Sequence, residues 1–245
     1  NSLSYTLLQQ SLLGKGLVSV SSGNQLCPYI ALPCSEDELM SKLSSNLRST
    51  IKRKTKKMLK DGVTFNYTSE TSVIEARMNS LFRLHQKCWN ARGRPGTLKD
   101  ESKRGFHLDV AEKLLPKNNI RLYTLNKGSE TIAVLYGFHF EGRIFYFQSG
   151  YDPDASEYSP GTLLMWRAMN HAIDEGAQIF DFLRGDEAYK KLWAKEVKTT
   201  YSTVLYAKNN VKMRLYFQWT KSLYVMKNHV KRLVFKWQLL FKKRA

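Results

Sequence analysis

Leu39, Leu43, Leu47, Ile51 and Met58 recur at helical spacing, with polar residues between them. A stripe of that period buries one face of an amphipathic helix. Ser35 followed by Glu38 reads as a capping box and Gly62 as a stop, which predicts one long helix over about 36–60. A second helix is predicted over about 71–90, with Ile74, Met78, Leu81, Phe82, His85 and Trp89 on one face. Residues 91–105 are polar and glycine-containing and predict a loop, and a short helix over about 106–115 ends before Pro116. The period then drops to two. Segments 120–126, 131–140 and 143–151, rich in Ile, Val, Tyr and Phe, predict three strands in a meander. A loop leads to a helix from about Gly161 to Glu175, stopped by Gly176. A strand over 178–183, a helix over 187–195 and a strand over 200–207 follow. Residues 1–34 alternate weakly and read as one or two strands. Asn1 is not an initiator residue, so these strands are expected to end a lobe that begins upstream.

The chain of 245 residues is long enough to bury a full core. Cys27, Cys34 and Cys88 form no CxxC pair and cannot all pair with one another, which favours a reduced, cytoplasmic compartment. His85, His107, His139, His171 and His229 show no metal-ligand spacing, so no metal is expected. No uninterrupted apolar run has the length of a membrane span.

Charge divides the chain unevenly. The net charge is +18; residues 48–60 carry seven Lys/Arg and no acid, and residues 207–245 carry eleven and no acid. The body between them is balanced, so two basic helices are attached to a neutral domain, and an anionic partner is expected. The expected division is 1–34, 35–207 and a basic amphipathic tail over 208–245. In that tail Leu215, Trp219, Leu223, Met226, Val230, Leu233, Trp237 and Leu240 form a stripe among lysines. Such a helix suits the surface of an anionic membrane, or packing onto another face of the protein.

Two segments carry chemistry. Ser159-Pro160-Gly161-Thr162 opens a helix directly after a strand and its loop, and a helix N-terminus can hold a phosphate. In residues 179–193 a short apolar run ends at Asp181. A turn around Gly185 then gathers Asp181, Arg184, Asp186, Glu187, Tyr189 and Lys190 before Trp193. Ligand and catalytic groups collect where a strand of an α/β sheet hands over to a helix.

The order of elements resembles the GNAT superfamily of acyl-CoA-dependent acyltransferases. More closely, the chain looks like the CelD/BcsL-type acetyltransferases of cellulose and exopolysaccharide production, related in fold to the Fem-type transferases. The resemblance rests on the basic helix 43–62 and on 146–153, 158–177 and 180–194, within about 26–207. It implies an α/β fold with a mixed, mostly antiparallel sheet flanked by helices. It implies that Ser159, Pro160, Gly161, Thr162, Leu163 and Leu164 cradle the pyrophosphate of acetyl-CoA, and that strands 143–150 and 178–183 splay to admit the pantetheine arm. Tyr189 would protonate the departing thiolate, and Asp186 or Glu187 would serve as the base. Gln148, Asp181, Arg184 and Lys190 would contact the acceptor, an amine on a sugar or polysaccharide precursor. The protein would then be cytoplasmic, or peripheral on the inner face of the cell membrane. Two alternatives stay open. One is a Fem-like aminoacyl transferase using charged tRNA, the single reading that brings in nucleic acid. The other is a non-catalytic scaffold of a polysaccharide synthase complex.

Overall fold

The computed structural model describes residues 16–220, together with Leu7, Gln10 and Ser222. Strand β1 (Leu17–Ala31) precedes helices α1 (Glu36–Lys42) and α2 (Ser45–Lys60). Strand β2 (Val63–Tyr67), helices α3 (Ile74–Asn90) and α4 (Glu101–Leu114), and strands β3 (Ile120–Lys127), β4 (Glu130–Phe140) and β5 (Arg143–Tyr151) come next. Helix α5 (Pro160–Asp174) and strands β6 (Ile179–Asp181) and β7 (Glu196–Ala207) follow, and residues 211–220 are again helical. The strands form one sheet in the order β2-β3-β4-β5-β6-β1-β7. Pairs β2–β3, β3–β4, β4–β5 and β6–β1 are antiparallel, and β5–β6 is parallel. The fold is therefore the expected mixed, mostly antiparallel α/β type. Gln25–Thr200 is one compact unit, and Asn1–Asn24 with Tyr201–Ala245 is another.

Period-two alternation in β3 and β4 sends side chains to both faces of the sheet, and each face meets helices. Tyr123, Leu125, Ala133 and Leu135 join a core with Leu47, Ile51 and Met58 of α2 and Leu163, Trp166 and Met169 of α5. Leu122, Val134 and Tyr136 join a second core with Ile74, Met78 and Leu81 of α3. A fully buried aliphatic side chain contributes about 1.5–3 kcal/mol, so truncating Ile51, 1% exposed, removes a principal tie of α2 to the sheet. Sheet and helices thus hold β5 and the start of α5 rigidly side by side.

Four expectations change in detail. The long helix is two helices, because Leu43 takes an extended backbone (ψ 157) and Ser44 caps α2 by accepting from Leu47 N–H at 3.3 Å. Arg48 Nη1 donates to the freed Leu43 carbonyl at 2.8 Å. Strand β2 was not foreseen; it is five residues long and follows Gly62 (φ +67). Helix α4 begins earlier than expected, since Asp100 accepts from Ser102 N–H at 2.9 Å and caps it. The helix expected over 187–195 is a turn with a short 3-10 segment at Lys190–Leu192, closed by Leu192 and Trp193 N–H bonding the carbonyls three residues back.

Among the described residues no helix is long and apolar enough to cross a membrane. Of the tail stripe, Leu215 and Trp219 are 59% and 62% exposed; Leu223, Met226, Val230, Leu233, Trp237 and Leu240 lie outside the described residues.

Candidate active site

Strand β5 pairs with β4 along its length but with β6 over only three residues, Arg143–Phe145 against Ile179–Asp181. From Tyr146 to Tyr151 the strand has a neighbour on one side alone, so β5 and β6 part as a V. Within the same stretch the register slips: Gly137 faces Tyr146 while Tyr136 faces Gln148, leaving Phe147 as a β-bulge. A bulge twists its strand locally and interrupts the ladder. Here Ser149 N–H donates to the Gln148 Oε1 at 3.3 Å, and Gln148 Nε2 donates to Thr97 at 3.0 Å.

The first turn of α5 lies against the end of β5. Ser159 is left-handed (φ 51, ψ 55), which turns the chain sharply into the helix, and Pro160 brings no N–H of its own. The N–H groups of Thr162 and Leu163 donate back to the Ser159 carbonyl at 2.9 and 3.1 Å. Gly161 therefore carries the uncommitted donor of the first turn, with the positive end of the helix dipole behind it. A Cβ at Gly161 would touch the Tyr151 ring at 3.4 Å, and Arg92 Nη2 donates to the Tyr151 hydroxyl at 3.2 Å. A cation, a phenol and a helix N-terminus thus converge on one spot. Leu163 and Leu164 are each 1% exposed, so their side chains belong to the core and only backbone there can meet a ligand.

Beyond β6 the turn is braced from within. Phe182 and Gly185 N–H donate to the carbonyls of Pro28 and Leu26, each at 2.9 Å. Asp181 is fully buried, accepts from Leu183 N–H at 2.8 Å and pairs with Lys198. Lys190, 3% exposed, donates to the Arg184 carbonyl at 2.8 Å and pairs with Glu187 at 2.9 Å. Asp181 and Lys190, expected as substrate contacts, both lie inside this brace. They are internal struts whose charged groups are already engaged, and neither can meet a ligand without opening its pair. Arg184 and Asp186 are exposed, as is Glu187, whose carboxylate folds back over Gly185.

Tyr189 is 39% exposed, and its ring stands edge-on to that of Tyr146 at 6.3 Å between centroids. Burial raises its pKa well above that of an ordinary phenol, and the nearby Tyr146 hydroxyl and Glu187 raise it further, so its proton is firmly held. Tyr146 is itself buried, its pKa also raised by burial, and its hydroxyl lies 2.7 Å from Ser149 Oγ. Tyr189, Tyr146 and Ser149 therefore form a row of hydroxyls along the opening between β5 and β6. Tyr146 and Tyr151 are five residues apart on β5, roughly 17 Å at about 3.4 Å per residue, a span on the scale of an extended pantetheine arm. Arg92, Tyr146, Ser149 and Tyr151 were not singled out from sequence. The alternation of 146–151 was the available signal, but what faces it across the fold was not readable.

Among the described residues no group of three or more His, Cys, Asp or Glu is placed to hold a metal ion. Residues 45–191, more than half of the chain, match the Acetyltransferase (GNAT) domain.

The chain belongs to the GNAT acetyltransferase family.

GNAT domains transfer acyl groups, generally from acyl-CoA. A crystal structure of FemX aligns over 85% of this chain and 70% of its own, at 13% identity and a TM-score of 0.62. The C-terminal domain of a putative lysylphosphatidylglycerol synthetase from Agrobacterium fabrum covers 86% and 68%, at 15% identity and 0.51. L-PGS from Bacillus licheniformis covers 81% and 64%, at 14% identity and 0.53. At these identities the likeness is one of fold. A comparison with curated proteins gives no match.

Proposed function

We propose that this GNAT domain transfers an acetyl group from acetyl-CoA to an amine of a sugar or polysaccharide precursor. The observation that carries the reading is the three-residue pairing of β5 with β6, which leaves an opening flanked by Tyr189 at one end and Gly161 at the other. The pyrophosphate meets the first turn of α5, with Gly161 N–H as donor and Arg92 as counter-charge. The pantetheine arm lies along Tyr146–Tyr151 with its thioester near the bulge. The amine nitrogen attacks the thioester carbonyl, the C–N bond forms, the C–S bond breaks, and the thiolate takes the Tyr189 proton. Tyr189, 39% exposed, then recovers a proton from solvent, and exposed Asp186 releases to solvent the proton it took. The attacking nitrogen gives up its own proton to Asp186, which is exposed and has no ion pair among the described residues, whereas Glu187 is held by Lys190. Exposed Arg184 and Gln148, at the bulge, contact the acceptor. The sugar or polysaccharide acceptor follows the sequence resemblance to CelD/BcsL-type enzymes.

A second reading, aminoacyl transfer from charged tRNA, draws on the exposed face of α2 that carries Lys52, Arg53, Lys56 and Lys60. Thermal unfolding separates the two. At a hundred times its dissociation constant the true donor adds about 2.7 kcal/mol of stability. Acetyl-CoA is expected to raise the midpoint of the native chain and to lose that effect in Gly161→Trp, whose side chain fills the space beside Tyr151. Stabilisation by aminoacyl-tRNA alone would establish the second reading, and stabilisation by neither would leave a non-catalytic scaffold.

A further inference from the structure

Four of the seven cations of α2 fall into two sets. Lys54 and Lys57 turn towards the 153–158 turn, where Lys54 donates to the Glu157 carbonyl and Lys57 pairs with Glu157 at 3.0 Å and Asp61 at 3.1 Å. Lys52 and Lys56 line a groove of about 780 Å³ between α1, α2 and α5 together with Arg167 of α5, and among the described residues none of the three has an ion pair. Arg167 Nε is buried with no hydrogen-bond partner. A guanidinium donor removed from water and left without an acceptor is unfavourable, and a bound anion relieves it.

The rest of the groove is apolar. Met40, Ile51, Leu59 and Trp166 line it, and Leu59 is 64% exposed on a helix whose Leu47, Ile51 and Met58 are buried. We propose that this groove binds a lipid-borne phosphate, with the apolar chain along Met40 and Leu59 and the phosphate on Lys52, Lys56 and Arg167. With Arg48 counted, four cations line the groove against two carboxylates, Glu36 and Asp37, so its charge favours an anion.

Three other occupants fit less well. A free phosphate has no use for the apolar lining. Single-stranded nucleic acid needs exposed aromatic faces on which bases stack, and the aromatic residue of the lining, Trp166, is 2% exposed. The chain's own segment 207–245 holds eleven Lys/Arg and no acid, so it offers no anionic side chain to these cations. The volume falls within the range of about 300–1,000 Å³ typical of small-ligand sites. None of the lining residues belongs to the Tyr189 turn or the first turn of α5, and the inference does not rest on the acetyl-transfer reading.

Calorimetric titration of the full chain with dihexanoyl phosphatidic acid, below its micellar concentration, tests it. Dihexanoylglycerol and inorganic phosphate are each expected to bind at least about tenfold more weakly, since each lacks one half of the recognition. Lys52→Gln/Lys56→Gln, both at exposed positions, is expected to weaken the phosphatidic acid about tenfold or more. Addition of Arg167→Gln is expected to abolish binding, while Lys99→Gln/Lys103→Gln leaves it unchanged. The lysine double variant keeps the test decisive if the Arg167 change impairs folding. Undiminished binding by that double variant, equal binding of inorganic phosphate, or tighter binding of oligouridylate to the same residues overturns the proposal.

Discussion

Tyr189 owes its candidacy to where its hydroxyl sits. Burial, with the Tyr146 hydroxyl beside it, holds its proton past the ordinary phenol value of 10.0, so at neutral pH it is present as the protonated donor and not as a base. Tyr189→Phe removes the proton and little else, and a positioned acid is worth about 10²–10⁴ in rate. A fall in kcat of roughly a hundredfold, with KM for acetyl-CoA nearly unchanged, is the expected outcome of steady-state kinetics. The native rate should also show no loss as pH passes 10.0, because the raised pKa keeps the phenol protonated there.

His85 gives a second test at this scale. It is fully buried, its Nε2 accepts from Trp89 Nε1 at 2.8 Å, and burial, helped by the Arg104 charge, lowers its pKa from 6.5 to about 4. The unfolded chain binds a proton on this ring below 6.5 while the folded chain refuses it until about 4. Stability is therefore fully present above 6.5 and is lost as pH falls through that window. Urea denaturation should show about 2 kcal/mol less stability at pH 5 than at pH 7 from this residue, and His85→Gln should remove that part of the slope.

The position of Tyr189 was legible because an apolar run ending in a charged turn marks a strand's exit. The inward roles of Asp181 and Lys190 were not, because Lys198 and the Arg184 carbonyl meet them only after the chain folds.

Among the elements, the apolar periods gave the helices their faces but not their breaks. Leu43 keeps the stripe in phase, so nothing in the spacing discloses that Ser44 starts a new helix. The bulge at Phe147 was equally hidden, since it is a mismatch between two strands and belongs to neither alone. The closest approach of α3 to β5 is set by Gly150. A Cβ there would lie 2.3 Å from the His85 nitrogen and 2.7 Å from the Leu84 carbonyl carbon. Both are backbone atoms, so no side chain can move aside. Gly150→Ala must push α3 from the sheet, and a loss of on the order of 3 kcal/mol in urea denaturation is expected. Because α3 also carries Cys88, whose Sγ donates to the Tyr151 carbonyl at 2.9 Å, the same change should weaken acetyl-CoA binding.

At the scale of the whole chain, the succession of meander, helix, strand and charged turn was enough to reach the fold class. The strand order was not, because it depends on β1, which lies between β6 and β7 although it comes first in sequence. The GNAT match and every residue of the candidate site lie inside the unit Gln25–Thr200. Hydrogen exchange with and without acetyl-CoA should therefore gain protection at 146–151, 159–164 and 184–193 and show none at 201–220. Protection appearing in the latter segment instead would place the ligand elsewhere.

The V between β5 and β6 has a chemical corollary. A strand stripped of its neighbour still offers peptide groups that want hydrogen bonds, and the sheet stays unfinished until something stands in for the missing strand. A guest made only of hydrocarbon would leave those groups unanswered. The visitor that fits best carries amides of its own, at intervals a polypeptide would recognise.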